Sequence, residues 1–365
     1  MESLYYVLSH VCHRRCVHCY DDRFRPYTGA ALAAQLDQAR ADLASIIPNL
    51  PARMTYLDRS AVQPDGSLPE KVGRIILAGG ELLHPALLEP ITYRAIGSLS
   101  ERYHGAGGVR LIVQTTGDLV TLPIVEKLLQ LGVWMVSISG LDDYHVGMEG
   151  EGKKTQLRNQ LEQMFAAVGM RPSGWQASTQ PWNQEDGPVY SFFGATEDSW
   201  IGKLWPRGRA WQNGLSRATL ADNFCSRWSG GLGFLAHRYE GSEVSIEPGG
   251  DVFPCCLKTK RPLGNLREEP LIEILDSLQS DPVFTAIHQG QPQRMGLSHG
   301  WTEAQFLAAS RTVTPGGLPY ENLCIGCDRF HEEVLGPHLD ATRARRMLAR
   351  SVRLGVSDLK QNRRL

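Results

Sequence analysis

The 365-residue chain is 42% hydrophobic and sets 38 basic against 39 acidic residues, a formal charge of -1. That length buries one barrel with an appendage or about two domains, and the balanced charge disfavours nucleic acid or an anionic membrane as partner. The amino terminus has no basic stretch leading into a long apolar one, and no run of 18 apolar residues occurs, so a membrane-spanning helix is excluded and a cytoplasmic protein is expected.

In chain order, Tyr5 to Ser9 reads as a short strand followed by a loop with three cysteines. Helical periodicity runs from Ala30 to Ile47 and stops before Pro48. Val72 to Ala78 reads as a buried strand, followed by Gly79-Gly80-Glu81 and a helix through Ser98. The alternation continues with a strand over Val109 to Gln114, a helix over Leu122 to Leu131, a strand over Val133 to Ser139 and a helix over Thr155 to Val168. Strands near 174–179 and 188–195 follow. Apolar strands alternating with amphipathic helices predict βα units on a parallel sheet. The segments after the strands, Cys12 to Cys19, Gly79 to Glu81, Thr115 to Gly117 and Ser139 to Asp143, then share one face, where such sheets bind ligands.

The character changes near 200–215. Val244 to Phe253 reads as a hairpin turning at Pro248-Gly249-Gly250-Asp251, Pro270 to Leu278 as a helix, and Thr302 with Gln305 as a capping box. From Ala341 to Leu365 eight Lys or Arg face one acid, Asp358, which reads as a solvated basic helix on the outside of the fold. The expected domains are 1–205, 206–340 and the tail 341–365.

Eight cysteines in a cytoplasmic chain point to metal binding or catalysis rather than to disulfides. Three stand at 12, 16 and 19, and five at 225, 255, 256, 324 and 327, so two sulfur sites are expected. Zinc, with His13 or His18 as a fourth ligand, and an iron-sulfur cluster both fit the first group. Three thiolates with one position open would suit catalysis better than structure. Asp142, Asp143 and His145 read as a surface loop.

Cys12-His13-Arg14-Arg15-Cys16-Val17-His18-Cys19 resembles the C-x3-C-x2-C hallmark of the radical S-adenosylmethionine (SAM) enzymes, with His18 at the usual aromatic position and Tyr20 next. The resemblance covers roughly residues 4–200 and implies a partial (β/α)6 TIM-like barrel of the α/β class. It implies that Cys12, Cys16 and Cys19 hold a [4Fe-4S] cluster whose fourth iron binds SAM. Gly79-Gly80-Glu81 resembles the family's motif that contacts the SAM amino group, and Tyr20, Thr115, Ser137 and Ser139 match cofactor-lining positions. His13 and His18 are then packing residues around the cluster.

Gly250 and Cys255, with Trp205-Pro206-Arg207-Gly208-Arg209-Ala210 before them, resemble the SPASM and twitch extensions of that superfamily, small α+β domains that bind auxiliary clusters. The full SPASM cysteine pattern does not continue after Cys327. The resemblance therefore implies one auxiliary [4Fe-4S] cluster on Cys225, Cys255, Cys324 and Cys327, with zinc at the same thiolates as the alternative. Cys256 is left as a candidate hydrogen donor, or as the ligand in place of Cys255.

The function implied is reductive cleavage of SAM and hydrogen abstraction from a small polar substrate (sugar, cyclitol or antibiotic intermediate), leading to dehydrogenation or epimerisation. The strand so close to Met1 favours a small substrate over a peptide. Maturation of a ribosomal peptide and a zinc-binding interaction protein are the alternatives. A flavodoxin or ferredoxin is the expected electron donor.

Overall fold

The computed structural model describes residues 1–174, 186–196, 199–227 and 230–362. Its centre is one nine-stranded sheet: β1 (Ser3–Val7), β2 (Arg74–Ala78), β3 (Arg110–Thr115), β4 (Val133–Ile138), β5 (Arg171–Pro172), β6 (Val189–Phe192), β7 (Glu243–Ile246), β8 (Asp251–Phe253) and β9 (Gly264–Asn265). The order across the sheet is β9-β8-β7-β1-β2-β3-β4-β6-β5. From β7 to β5 every pairing is parallel, and β7-β8-β9 is antiparallel. Helices α1 (Gly29–Ile46), α2 (Arg94–His104), α3 (Leu122–Gln130) and α4 (Glu151–Ala167) fill the connections, with α2 running six residues past the expected end at Ser98 and α4 starting four residues before the expected Thr155. The expected strand near 174–179 falls mostly on residues outside those described, and β6, not an earlier strand, lies beside β4.

Both faces of the parallel strands are covered, which is why they read as continuous apolar runs. Leu4, Tyr6, Ile75, Leu77, Leu111, Val113, Val136 and Ile138 join the main core with Leu99, Val125 and Phe165 of the helices. The opposite face begins with an apolar layer of Ile76, Ile112, Met135 and Val189, which are register partners across β2, β3, β4 and β6. Because side chains on one face recur every second residue, the same face continues through Gln114, Ser137 and Ser191 to Thr116, Ser139 and Phe193. It turns polar towards the carboxyl ends of the strands, and there the cavity opens.

Among the described residues, five further α-helices precede the tail: α5 (Gly208–Gln212), α6 (Leu271–Asp276), α7 (Pro282–His288), α8 (Glu303–Ala309) and α9 (Leu323–Phe330). The Thr302/Gln305 capping box is formed. The tail is helix α10 (Gly336–Asn362), and the expectation of a merely solvated helix needs correcting. Arg346 is 8% exposed and forms a bidentate pair with Glu269, itself 1% exposed, at 2.7 and 2.8 Å, and also donates to the Leu263 carbonyl. Arg343 and Arg353 pair with Glu268 and Glu273. Charge alone predicts solvent, but a planar guanidinium that meets a buried carboxylate stays inside. No described helix is long and apolar enough to cross a membrane.

Removing one partner of a buried ion pair strands the other charge. Arg346→Met is expected to destabilise the protein by about 3 kcal/mol, read as a lowered thermal midpoint, with part of the loss recovered in Arg346→Met/Glu269→Gln.

Candidate functional site

The first cavity, of about 200 Å³, sits at the carboxyl ends of the parallel strands and is lined by Cys12, Cys16 and Cys19 together with Gly80, Gln114, Thr116 and Ser139 from the strand ends and Trp205, Arg209 and Cys256 from later in the chain. Three groups far apart in sequence thus meet. Gly80 must be glycine, because a Cβ there would lie 2.3 Å from the Val11 carbonyl oxygen and 2.8 Å from Cys12 Cβ; the turn after β2 lies directly against the first thiol.

The cysteine loop is held from outside itself. Arg209, 6% exposed, donates from Nε to the Cys16 carbonyl (2.8 Å), from Nη1 to Asp22 (3.0 Å) and from Nη2 to Phe24 (2.8 Å), while the Arg209 and Ala210 amides both donate to the Cys19 carbonyl. Gly208 (φ +50°) leaves no room for a Cβ, which would meet the Tyr20 carbonyl carbon at 2.4 Å. Burial pushes the Cys12 thiol up to about 12 and the Cys19 thiol up to about 11, and raises Cys16. Bare, these sulfurs stay protonated; a bound cation reverses that.

The sequence-derived cofactor residues divide. Tyr20, Gly80 and Ser139 line the cavity, whereas Gly79, Glu81, Thr115 and Ser137 do not. The Glu81 carboxylate, 1% exposed, accepts from the Leu83 and Thr116 amides and from the Thr115 and Thr116 hydroxyls at 2.7–2.9 Å, so it braces the strand ends. Ser137 shares a hydrogen bond with Ser191. Tyr5, whose hydroxyl donates to Gln114 Oε1 at 3.2 Å, and Gln114 itself also line the cavity. In sequence they are indistinguishable from ordinary strand residues; only their inward register could have flagged them.

The loop after β4 is not the surface loop expected for Asp142 and His145. Asp142 is 3% exposed and accepts from the Tyr144, His145 and Ala195 amides and from His145 Nδ1. The His145 ring lies edge-on to His18, centroids 4.7 Å apart. Burial, then the neighbouring His145, lowers the His18 imidazole to about 4. Asp143 is exposed, as expected. His13 pairs with Asp118, which also binds Arg14.

A second, narrow cavity brings together Cys225, Cys255, Cys324 and Cys327 with Arg207. Cys324 and Cys327 share one face of α9, and the buried Asn322 side chain caps that helix by accepting from the Cys324 amide at 2.9 Å. The adjacent cysteines part here: Cys255 lines this cavity and Cys256 lines the first. The turn between them closes through the Lys258 amide donating to the Cys255 carbonyl at 3.1 Å. It holds Lys258 in the left-handed region (φ 62°), a strain of about 1 kcal/mol for a residue with a side chain. Lys258 then meets Asp21 at 2.6 Å and Glu247 at 2.5 Å, and Arg23 bridges the same two carboxylates.

Among the described residues, the groupings of three ligand atoms within 4.8 Å of one another are His18, Asp142 and His145, and His10, Asp21 and Glu247. Among the described residues, no three thiols come so close. In the second grouping Arg23 and Lys258 already neutralise both carboxylates.

Residues 238–297 match the family model of SPASM, an iron-sulfur cluster-binding domain. The chain carries a SPASM domain. Its matched residues include Cys255 and Cys256, while Cys225, Cys324 and Cys327 flank them. No curated protein matches the chain. Among solved structures, BtrN in complex with AdoMet and 2-DOIA is 15% identical, covering 84% of this chain and 92% of its own, with a TM-score of 0.39. Streptococcus suis SuiB bound to S-adenosylmethionine is 13% identical, covering 78% and 67%, at 0.37. Native anSMEcpe with bound AdoMet is 14% identical, covering 93% and 99%, at 0.37.

Gly208→Ala should release the cysteine loop, and iron per reconstituted chain should fall by about half while the SPASM-side site stays loaded. For the link between loop and hairpin, burial alone would raise the Glu247 carboxyl, but hydrogen bonding from His10 and the charges of Lys258 and Arg23 outweigh it and hold the group at about 2, from 4.5. A depressed carboxyl contributes stability in full above its unfolded value, and loses it as pH falls through the folded one. Acid unfolding should thus draw about 3 kcal/mol from Glu247 between pH about 4.5 and 2, and Glu247→Gln should flatten that part of the profile.

Proposed function

We propose that this protein is a radical SAM enzyme with one auxiliary cluster, acting on a small polar substrate in the first cavity. The supporting observation is that Cys12, Cys16, Cys19 and Cys256 open on one cavity, with Cys225, Cys255, Cys324 and Cys327 around another. Three thiolates make an incomplete ligand set for a [4Fe-4S] cluster and leave a position for SAM, and four make a closed set. When bound, the first cluster and SAM supply one-electron reductive cleavage and, with it, hydrogen-atom abstraction from an unactivated C–H bond. The chain's part is to hold SAM along Gly80, Thr116 and Ser139, with Glu81 bracing that edge, and to exclude water with Tyr5, Phe24, Phe193 and Trp205.

The outcome is epimerisation or dehydrogenation, and the position of Cys256 favours the first. Its S–H bond breaks as a C–H bond forms on the substrate carbon, and one electron from a flavodoxin or ferredoxin with one solvent proton restores the thiol. Residues 1–205 form the SAM core, 206–340 the auxiliary-cluster part and 341–365 the tail, in a cytoplasmic protein.

Anaerobically reconstituted enzyme should be brown, with about eight irons and eight sulfides per chain. With SAM, reductant and cell extract in deuterated buffer it should release 5′-deoxyadenosine and leave one solvent deuterium in an otherwise mass-unchanged product. Cys256→Ala should still make 5′-deoxyadenosine and lose that product. Normal turnover by Cys256→Ala would end the donor role, and a colourless zinc protein would end the enzyme reading.

A further inference from the structure

The four-thiol cavity has two cations on its wall, Arg207 and Lys258, and Lys258 is already paired with Asp21 and Glu247. Arg207 lines it beside Cys225, Cys255, Cys324 and Cys327. Its Nε donates to the Leu257 carbonyl at 3.3 Å, Nη1 to Pro206 at 3.0 Å and Nη2 to Asp328 Oδ1 at 2.9 Å. These bonds fix the guanidinium plane, and its charge does not titrate away. Asp328 directly follows Cys327 on α9, and its side chain is 14% exposed. The pair therefore sits where water screens little, within two residues of a thiol on each side: Cys327 is next to Asp328, and Leu257, whose carbonyl Arg207 holds, is two residues past Cys255.

A cluster on four thiolates gains one negative charge when it is reduced. A fixed cation in its cavity favours the reduced state and a fixed anion disfavours it, and in a low-dielectric site the effect reaches several ångströms. We propose that Arg207 and Asp328 set the reduction potential of the four-thiol cluster in opposite directions, Arg207 raising it and Asp328 lowering it. This rests on the reading that these thiols hold an iron-sulfur cluster. Arg207 is a positioning and tuning residue, not a ligand. Two residues later Arg209 grips the loop of the other three thiols, so one short segment carries a cation to each sulfur site.

The test is a redox titration of the reconstituted holoenzyme, with the first cluster's signal assigned by its loss in Cys12→Ala/Cys16→Ala/Cys19→Ala. Arg207→Gln, which keeps hydrogen-bond donors and loses the charge, should shift the second cluster's midpoint downwards. Asp328→Asn should shift it upwards, and Arg207→Lys should stay near the parent. Unchanged midpoints in iron-loaded Arg207→Gln and Asp328→Asn would overturn the proposal. Loss of second-site iron from both would overturn it equally, by making the pair structural; loss from Arg207→Gln alone leaves Asp328→Asn to decide. Zinc without acid-labile sulfide at the second site of the parent protein would instead defeat the underlying cluster reading.

Discussion

The Arg209 guanidinium, with three donors on the carbonyls of Cys16, Asp22 and Phe24, is the contact on which the cavity depends. A loop carrying three thiols at spacings of four and three residues has no ladder of its own, and its carbonyls need donors. They come from residue 209, beyond the last parallel strand of the first half. Gly208 makes the approach possible and Trp205 packs on Tyr20 at 5.2 Å, so the thiols acquire their arrangement only when the second half of the chain is in position.

The second constraint is a single turn. Cys255 and Cys256 are neighbours in sequence but belong to different cavities, and the strained Lys258 that closes the turn is held by Asp21 from the cysteine loop and Glu247 from the hairpin. Burial raises both thiols, Cys255 to about 11 and Cys256 well above its ordinary value. At neutral pH the cavity-facing thiol therefore carries its hydrogen, which a hydrogen-atom donor needs.

Much of the frame was legible because strong periodicity leaves little choice. β2, β3 and β4 start and end within two residues of their expected limits, as do α1, α3 and the Thr302 cap. The parallel α/β sheet followed from that alternation, the barrel class from the resemblance of the cysteine motif, and the SPASM segment from Gly250 and Cys255. What was not legible depended on which way a side chain turns. Nothing in the letters separates Cys255 from Cys256, or marks Gln114 and Tyr5 as lining residues, because a strand residue declares its face only through its register. The resemblance makes Glu81 a contact to an ammonium group, and only the structure shows that two threonine hydroxyls and two amides donate to its carboxylate. The basic tail around Arg346 and the loop around Asp142 read as solvated, and their buried partners lie 77 and 53 residues away in sequence.

The register of β7 against β1 carries a last consequence. Ser3 to Tyr6 pair with Glu243 to Ile246 on one side and with Arg74 to Leu77 on the other, so β1 waits for a partner 240 residues further along the chain. Until it arrives, β1 is an open edge with unpaired amides and carbonyls and an aromatic sequence, the kind of surface on which chains join one another. A core excised before β7 would keep an unfinished rim where the longer chain has a seam.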